Sequence, residues 1–175
     1  MLWVMILAVV GMVFAPAMWL RPSHRERRVG GLREAVIDAG VSVRLEKSPI
    51  HADKEQRAAY RWSYPSQRPG PTFVLVREAY ASQALKSFEP GWRWRVEPLR
   101  PMPRLVAVHL AALLARLPED ACVIESGRGA LTLWWEESLE RDAFMPLVAP
   151  FGELRDALAD RPDRERSARP MPPPG

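Results

Sequence analysis

Residues 122–135 read CVIESGRGALTLWW, and the fold turns on how this stretch divides. Cys122-Val-Ile-Glu125 and Ala130-Leu-Thr-Leu-Trp-Trp135 are short β-branched, aliphatic and aromatic runs; Ser126-Gly-Arg-Gly129 between them is turn material. Strand, turn, strand predicts an antiparallel hairpin, with its glycines placed where the turn needs positive φ. The Gly127-x-Gly129 pair is too short for a phosphate loop and precedes a strand instead of a helix, so no nucleotide site is expected there.

The chain upstream repeats the same grammar. Tyr60, Trp62 and Tyr64 alternate with Ala59, Arg61 and Ser63, and residues 72–77 (TFVLVR) are a second strand-forming run. Residues 65–71 (PSQRPGP) are turn material, so these two strands can pair as a hairpin. Trp92, Trp94 and Val96 alternate with Arg93, Arg95 and Glu97, giving another strand with one aromatic and one charged face. Further forward, Ser23-x-x-Glu26 has capping-box spacing and starts a helix carrying Leu32, Val36 and Ala39; Gly40 ends it, and Val41-Ser-Val-Arg-Leu45 follows as a strand. Gly30-Gly31 suggest a hinge within that helix. Residues 46–57 are polar and read as a loop or an exposed turn of helix, and 78–88 as a short helix closed by Glu89-Pro90-Gly91. Residues 103–117 form a clear helix, with Leu105, Val106, His109, Leu110, Leu113 and Leu114 on one broad stripe and His109 expected in the core. A last helix, from Pro146 or Pro150 to Ala159, presents Leu147, Phe151, Leu154 and Leu158. Residues 41–160 are therefore an α+β domain of mostly antiparallel strands packed with two or three helices.

What precedes this domain sets its expected location. Residues 1–20, MLWVMILAVVGMVFAPAMWL, contain no charged side chain, and twenty helical residues rise about 30 Å, the hydrocarbon thickness of a bilayer. A buried core helix is one rival, but the run is apolar on every face; a cleaved signal peptide is the other, since Ala15-Pro16-Ala17 has small-x-small spacing, yet no Lys or Arg precedes the run. Arg21, Arg25, Arg27, Arg28 and Arg33 follow at once, and basic flanks stay cytoplasmic. The expectation is a single transmembrane helix in a bacterial inner membrane, amino terminus outside and the bulk of the chain cytoplasmic. Residues 21–40 then form a basic juxtamembrane helix whose Arg21, Arg25, Arg27 and Arg28 contact the membrane surface. Residues 161–175, Arg- and then Pro-rich, read as a disordered tail. The net charge of +4 comes almost wholly from arginine, and the single Cys122 excludes an internal disulfide and reads as a small buried hydrophobe.

The residues offer little chemistry. Aromatic strands interleaved with Arg61, Arg93 and Arg95 suggest stacking on bases or contact with a partner, but alternation puts those arginines opposite the tryptophans of their own strands. His51, Asp53 and Glu55 lack a further His or Cys at ligand spacing, so no metal site is expected. Glu136 and Glu137 point to opposite sides of a strand and make a poor acid/base pair, and no Ser/His/Asp or Cys/His set occurs. No catalytic residue and no cofactor is expected.

The residues up to Leu20, Arg21-Pro22, the Arg25–Arg28 cluster, Leu32 and the turn from Gly40 into the strand at Leu45 resemble YajC-type accessory subunits of the bacterial preprotein translocase. This covers about a quarter of the chain. That family's Gly-Asp and paired-Gly hairpin is absent after Gly40. The resemblance implies membership of an accessory membrane complex. The sequence is thus read as an inner-membrane accessory or scaffold protein that contacts the bilayer and a membrane-protein partner. The alternatives are a module binding anionic lipid or, less in keeping with the charge pattern, nucleic acid, and a membrane-tethered enzyme.

Overall fold

The hairpin read at 122–135 forms, and it is wedged into the middle of a larger sheet. A computed structural model describes residues 23–50 and 56–161, together with Trp3. Its strands are β1 (Ser42–Lys47), β2 (Gln56–Ser63), β3 (Phe73–Arg77), β4 (Ser87–Glu89), β5 (Trp92–Val96), β6 (Val123–Ser126) and β7 (Ala130–Trp135). The helices are α1 (His24–Asp38), α2 (Arg104–Leu114) and α3 (Arg141–Leu158). The strands form one sheet in the order β1-β2-β7-β6-β3-β5-β4, every pairing antiparallel. The domain is α+β, as the pattern of elements predicted.

Burial follows the period of two. Tyr60, Trp62, Phe73, Leu75, Trp92, Trp94, Leu133 and Trp135 point to one face and pack beneath all three helices in the main core. On the opposite face, Ala59, Trp134, Val123 and Val76 lie opposite one another across four strands. With Cys122 and Ile50 they make a second, smaller core. Cys122 is fully buried and its thiol donates to the Trp134 carbonyl at 3.2 Å.

Several sequence expectations need correction. β2 and β3 do not pair, because the 122–135 hairpin stands between them: β2 lies against β7 and β3 against β6. Residues 65–71 cross the end of that hairpin and are tied to it, Tyr64 donating to Ser126 Oγ at 2.8 Å and Ser126 to the Pro71 carbonyl at 2.6 Å. Gly70 lies flat on Tyr64, where a Cβ would come within 2.1 Å of the ring. Residues 78–88 are not a helix but a 3-10 turn at Glu78–Tyr80 followed by the edge strand β4. Strands β1 and β2 extend into both ends of the expected 46–57 loop. Gly127 and Gly129 have ordinary φ; the positive-φ glycines among the described residues are Gly40 and Gly91. Gly30-Gly31 do not interrupt α1, which is continuous and carries the predicted capping box at Ser23.

The last helix starts earlier than expected, at Arg141, with Pro146 and Pro150 inside it. Pro150 has no N–H for the Pro146 carbonyl, which instead accepts from Arg116 at 3.2 Å. In α2 the stripe is misjudged at two positions. Leu105 is 84% exposed, and His109 stands at the helix edge facing Glu153 at 3.6 Å. Among the described residues no helix is long and apolar enough to cross a membrane. The expected span at 1–20 (Trp3 apart), Arg21, the trio His51, Asp53 and Glu55, and the tail beyond Arg161 lie outside the described residues.

Candidate functional site

Among the described residues, a dense polar cluster sits where β7 turns into α3, at Glu136, Glu137 and Ser138. Glu137 is a strand-end glutamate that is 5% exposed and has φ of 61°, the left-handed region that L-residues avoid. Its carboxylate is fully engaged. Arg33 of α1 grips it with two hydrogen bonds, 2.7 Å to Oε1 and 2.6 Å to Oε2, and Tyr60 of β2 donates to Oε1 at 2.8 Å. Glu136 turns the other way, as strand alternation requires, and pairs with the buried Arg57. Asp120 closes the corner from outside by accepting from the backbone of Glu136 at 2.9 Å and from the Ser138 hydroxyl at 2.6 Å. Arg28 adds hydrogen bonds to the carbonyls of Ser138 and Leu139 at 2.7 and 3.0 Å.

Beside this corner lies a polar cleft of about 360 Å³, walled by Arg25, Arg33, Arg57, Trp135 and the two glutamates. Arg25 has no ion pair or hydrogen bond among the described residues, whereas Arg33 and Arg57 are held by carboxylates. A glutamate saturated by three donors is a poor proton acceptor, and its arginine partner is a poor free anion ligand. The arrangement is a clasp between α1 and the sheet.

Tyr60 in the clasp and Tyr64 just past the end of β2 are both buried phenols. Burial above all, with the Glu137 charge second, pushes the Tyr60 phenol upward, and burial pushes Tyr64 up to about 12. Both folded values exceed the unfolded value of about 10, so the neutral phenols favour the fold fully below that pH. The contribution of Tyr64 is lost as the pH climbs from about 10 through about 12, and that of Tyr60, whose phenol is pushed up further, is still falling above it. The urea midpoint is expected to fall over this interval. A midpoint unchanged across the interval would contradict the burial argument.

The arginines singled out in the sequence are used in different ways. Arg25 and Arg27 are exposed on the first turns of α1, while Arg28 is turned into the domain. Arg61, Arg93 and Arg95 do share the helix-free face of the sheet, opposite Trp62, Trp92 and Trp94. Arg61 is separated from the other two by four strand spacings, about 19 Å. Each is engaged: Arg61 with Glu46 at 2.5 Å, Arg93 with Glu78 and the Leu85 carbonyl, and Arg95 with the Pro49 carbonyl at 2.7 Å. The tryptophan of that face, Trp134, is 3% exposed and donates to Glu125 at 3.1 Å, so no stacking platform is presented. Among the described residues no three His, Cys, Asp or Glu side chains converge on a metal site.

Sequence reasoning missed three arginines that do structural work. Besides Arg33 and Arg57 there is Arg77, which donates to the carbonyls of Ala121 at 2.9 Å and Pro118 at 2.5 Å and lies 4.7 Å over Trp92. It caps the carbonyls beyond α2, and burial lowers its pKa. Only contact, not spacing, could have found it. No protein family, curated protein or solved structure matches the chain.

Proposed function

We propose that this chain is a single-pass accessory or scaffold protein of a bacterial inner membrane. Its residues 1–20 are the anchor, its amino terminus lies outside, and its cytoplasmic α+β domain binds a protein partner in the same membrane. The observation that carries the reading is the way α1 is held. Three residues separate the charge-free run 1–20 from α1, and α1 is fixed to the sheet by Arg28 and by the two-bond grip of Arg33 on Glu137. A helix attached to the domain only by a linker would add slack; one clasped at 2.6–2.7 Å to a buried carboxylate is part of the folded body, so only residues 21–23 lie in sequence between that body and the run 1–20. A short connection and the raised local concentration it gives are what a scaffold needs and what a diffusing enzyme does not. The likeness of the first quarter to YajC-type subunits accords with an accessory role.

The test is fractionation followed by capture. The full-length chain is expected to resist alkaline carbonate extraction, to be spared by protease added to spheroplasts, and to co-purify with a stoichiometric membrane partner. Release into the periplasm of a chain trimmed after Ala17 would overturn the anchor and its sidedness. Repeated recovery of the protein alone would overturn the scaffold role.

A further inference from the structure

Helix α2 is apolar on two sides, and only one is used. Val106, Leu110, Leu113 and Leu114 enter the main core. At about 100° per residue, Leu105, Val108, Ala112 and Ala115 fall within an arc of about 80° on the opposite side. All four are exposed, Leu105 at 84% and Val108 at 60%. Leu99, in the segment leading into the helix, adds a side chain that is 76% exposed. A surface helix normally faces water with charged residues, and one that is apolar all round is covered by something.

The charges bordering this seam say by what. Arg104 lies just outside one edge of the arc and exposed Arg116 just outside the other, with His109 beyond it. No acidic residue lies on that face of α2; the nearest carboxylate with a contact to it is Glu153 of α3, beside His109. An apolar strip between arginines is complementary to a surface that is apolar below and anionic at its rim, which describes a leaflet containing acidic phospholipid. α1 and α2 pack on the same face of the sheet, either side of α3, so the seam belongs to the same layer as the helix that follows the run 1–20.

We infer that the exposed side of α2, centred on Leu105 and Val108, lies on the anionic bilayer surface and holds the domain flat against it. The inference rests on the anchored reading given above, and its test separates the two. The full chain is prepared as Leu105→Cys or, as a control on the helix-free face, Ser42→Cys, each carrying an environment-sensitive dye; the buried Cys122 is left in place, and the unsubstituted chain sets the background labelling. Both are reconstituted in vesicles of phosphatidylethanolamine and phosphatidylglycerol, and in vesicles of phosphatidylcholine alone.

Quenching by shallow doxyl lipids is expected to be about twofold or more stronger at position 105 than at 42, and to weaken without phosphatidylglycerol or at high salt. Equal quenching at the two positions, in a chain that still resists carbonate, overturns the inference and leaves the anchor standing. A chain extracted by carbonate overturns the anchor first. Shielding of the 105 dye that scales with protein density and is accompanied by energy transfer between labelled copies would assign the seam to a second copy, and also overturns contact with lipid.

Discussion

Glu137→Ala is expected to lower the unfolding free energy by about 3 kcal/mol, because it strands the Arg33 guanidinium and the Tyr60 hydroxyl together. The lower end of the range for a broken buried pair applies, since the Arg33 side chain keeps 30% exposure and recovers some hydration. Glu137→Gln keeps the volume and one acceptor oxygen and should lose about 1–2 kcal/mol. The backbone adds an independent check. With φ at 61°, residue 137 carries a left-handed penalty that glycine escapes, so Glu137→Gly should be about 1 kcal/mol more stable than Glu137→Ala although both lack the carboxylate. Urea unfolding of the three variants measures the series. If alanine loses under about 1 kcal/mol, the clasp does not hold α1 and the scaffold argument loses its footing.

The partners of Glu137 also explain why the sequence could not reveal this residue. A glutamate after two tryptophans at a strand end reads as the place where the chain meets water. Its partners lie 104 and 77 residues away, beyond any local pattern. Legible features were local ones. The 122–135 hairpin has both strands and its turn within fourteen residues, and the capping box at Ser23 needs only four. The placing of Trp92 and Trp94 inward with Arg93 and Arg95 outward needed nothing but alternation. Pairing was not legible, because periodicity marks a segment as strand without saying what inserts beside it; β2 and β3 looked like neighbours only while the later hairpin was ignored. In α2 the failure had a different cause. A helix apolar on two sides gives period but no single direction, so Leu105 and Leu110 looked equivalent although one is exposed and the other buried. The same ambiguity marks the seam that lipid is inferred to cover.

Trp135→Ala should be the most damaging core substitution at the corner, at about 4 kcal/mol, through loss of the largest fully buried type of ring at the end of β7. The indole stacks on Phe144 at 4.5 Å and 17° and meets the Tyr60 ring edge-on at 5.4 Å, so its removal opens a space bounded by α3 and β2 together. Trp135→Phe has a different balance. The buried indole N–H has no hydrogen-bond partner among the described residues, so phenylalanine removes an unsatisfied donor while surrendering ring volume. The expected net change is within about 1.5 kcal/mol of the parent. Tyr60 touches both Trp135 and Glu137, which makes the aromatic layer and the clasp one unit. The double variant Trp135→Ala/Glu137→Ala should therefore fall short of the sum of its singles by about 1 kcal/mol. Additivity to within about 0.3 kcal/mol would mean that Tyr60 transmits nothing between them, and that α1 is held by its ion pair without help from the core.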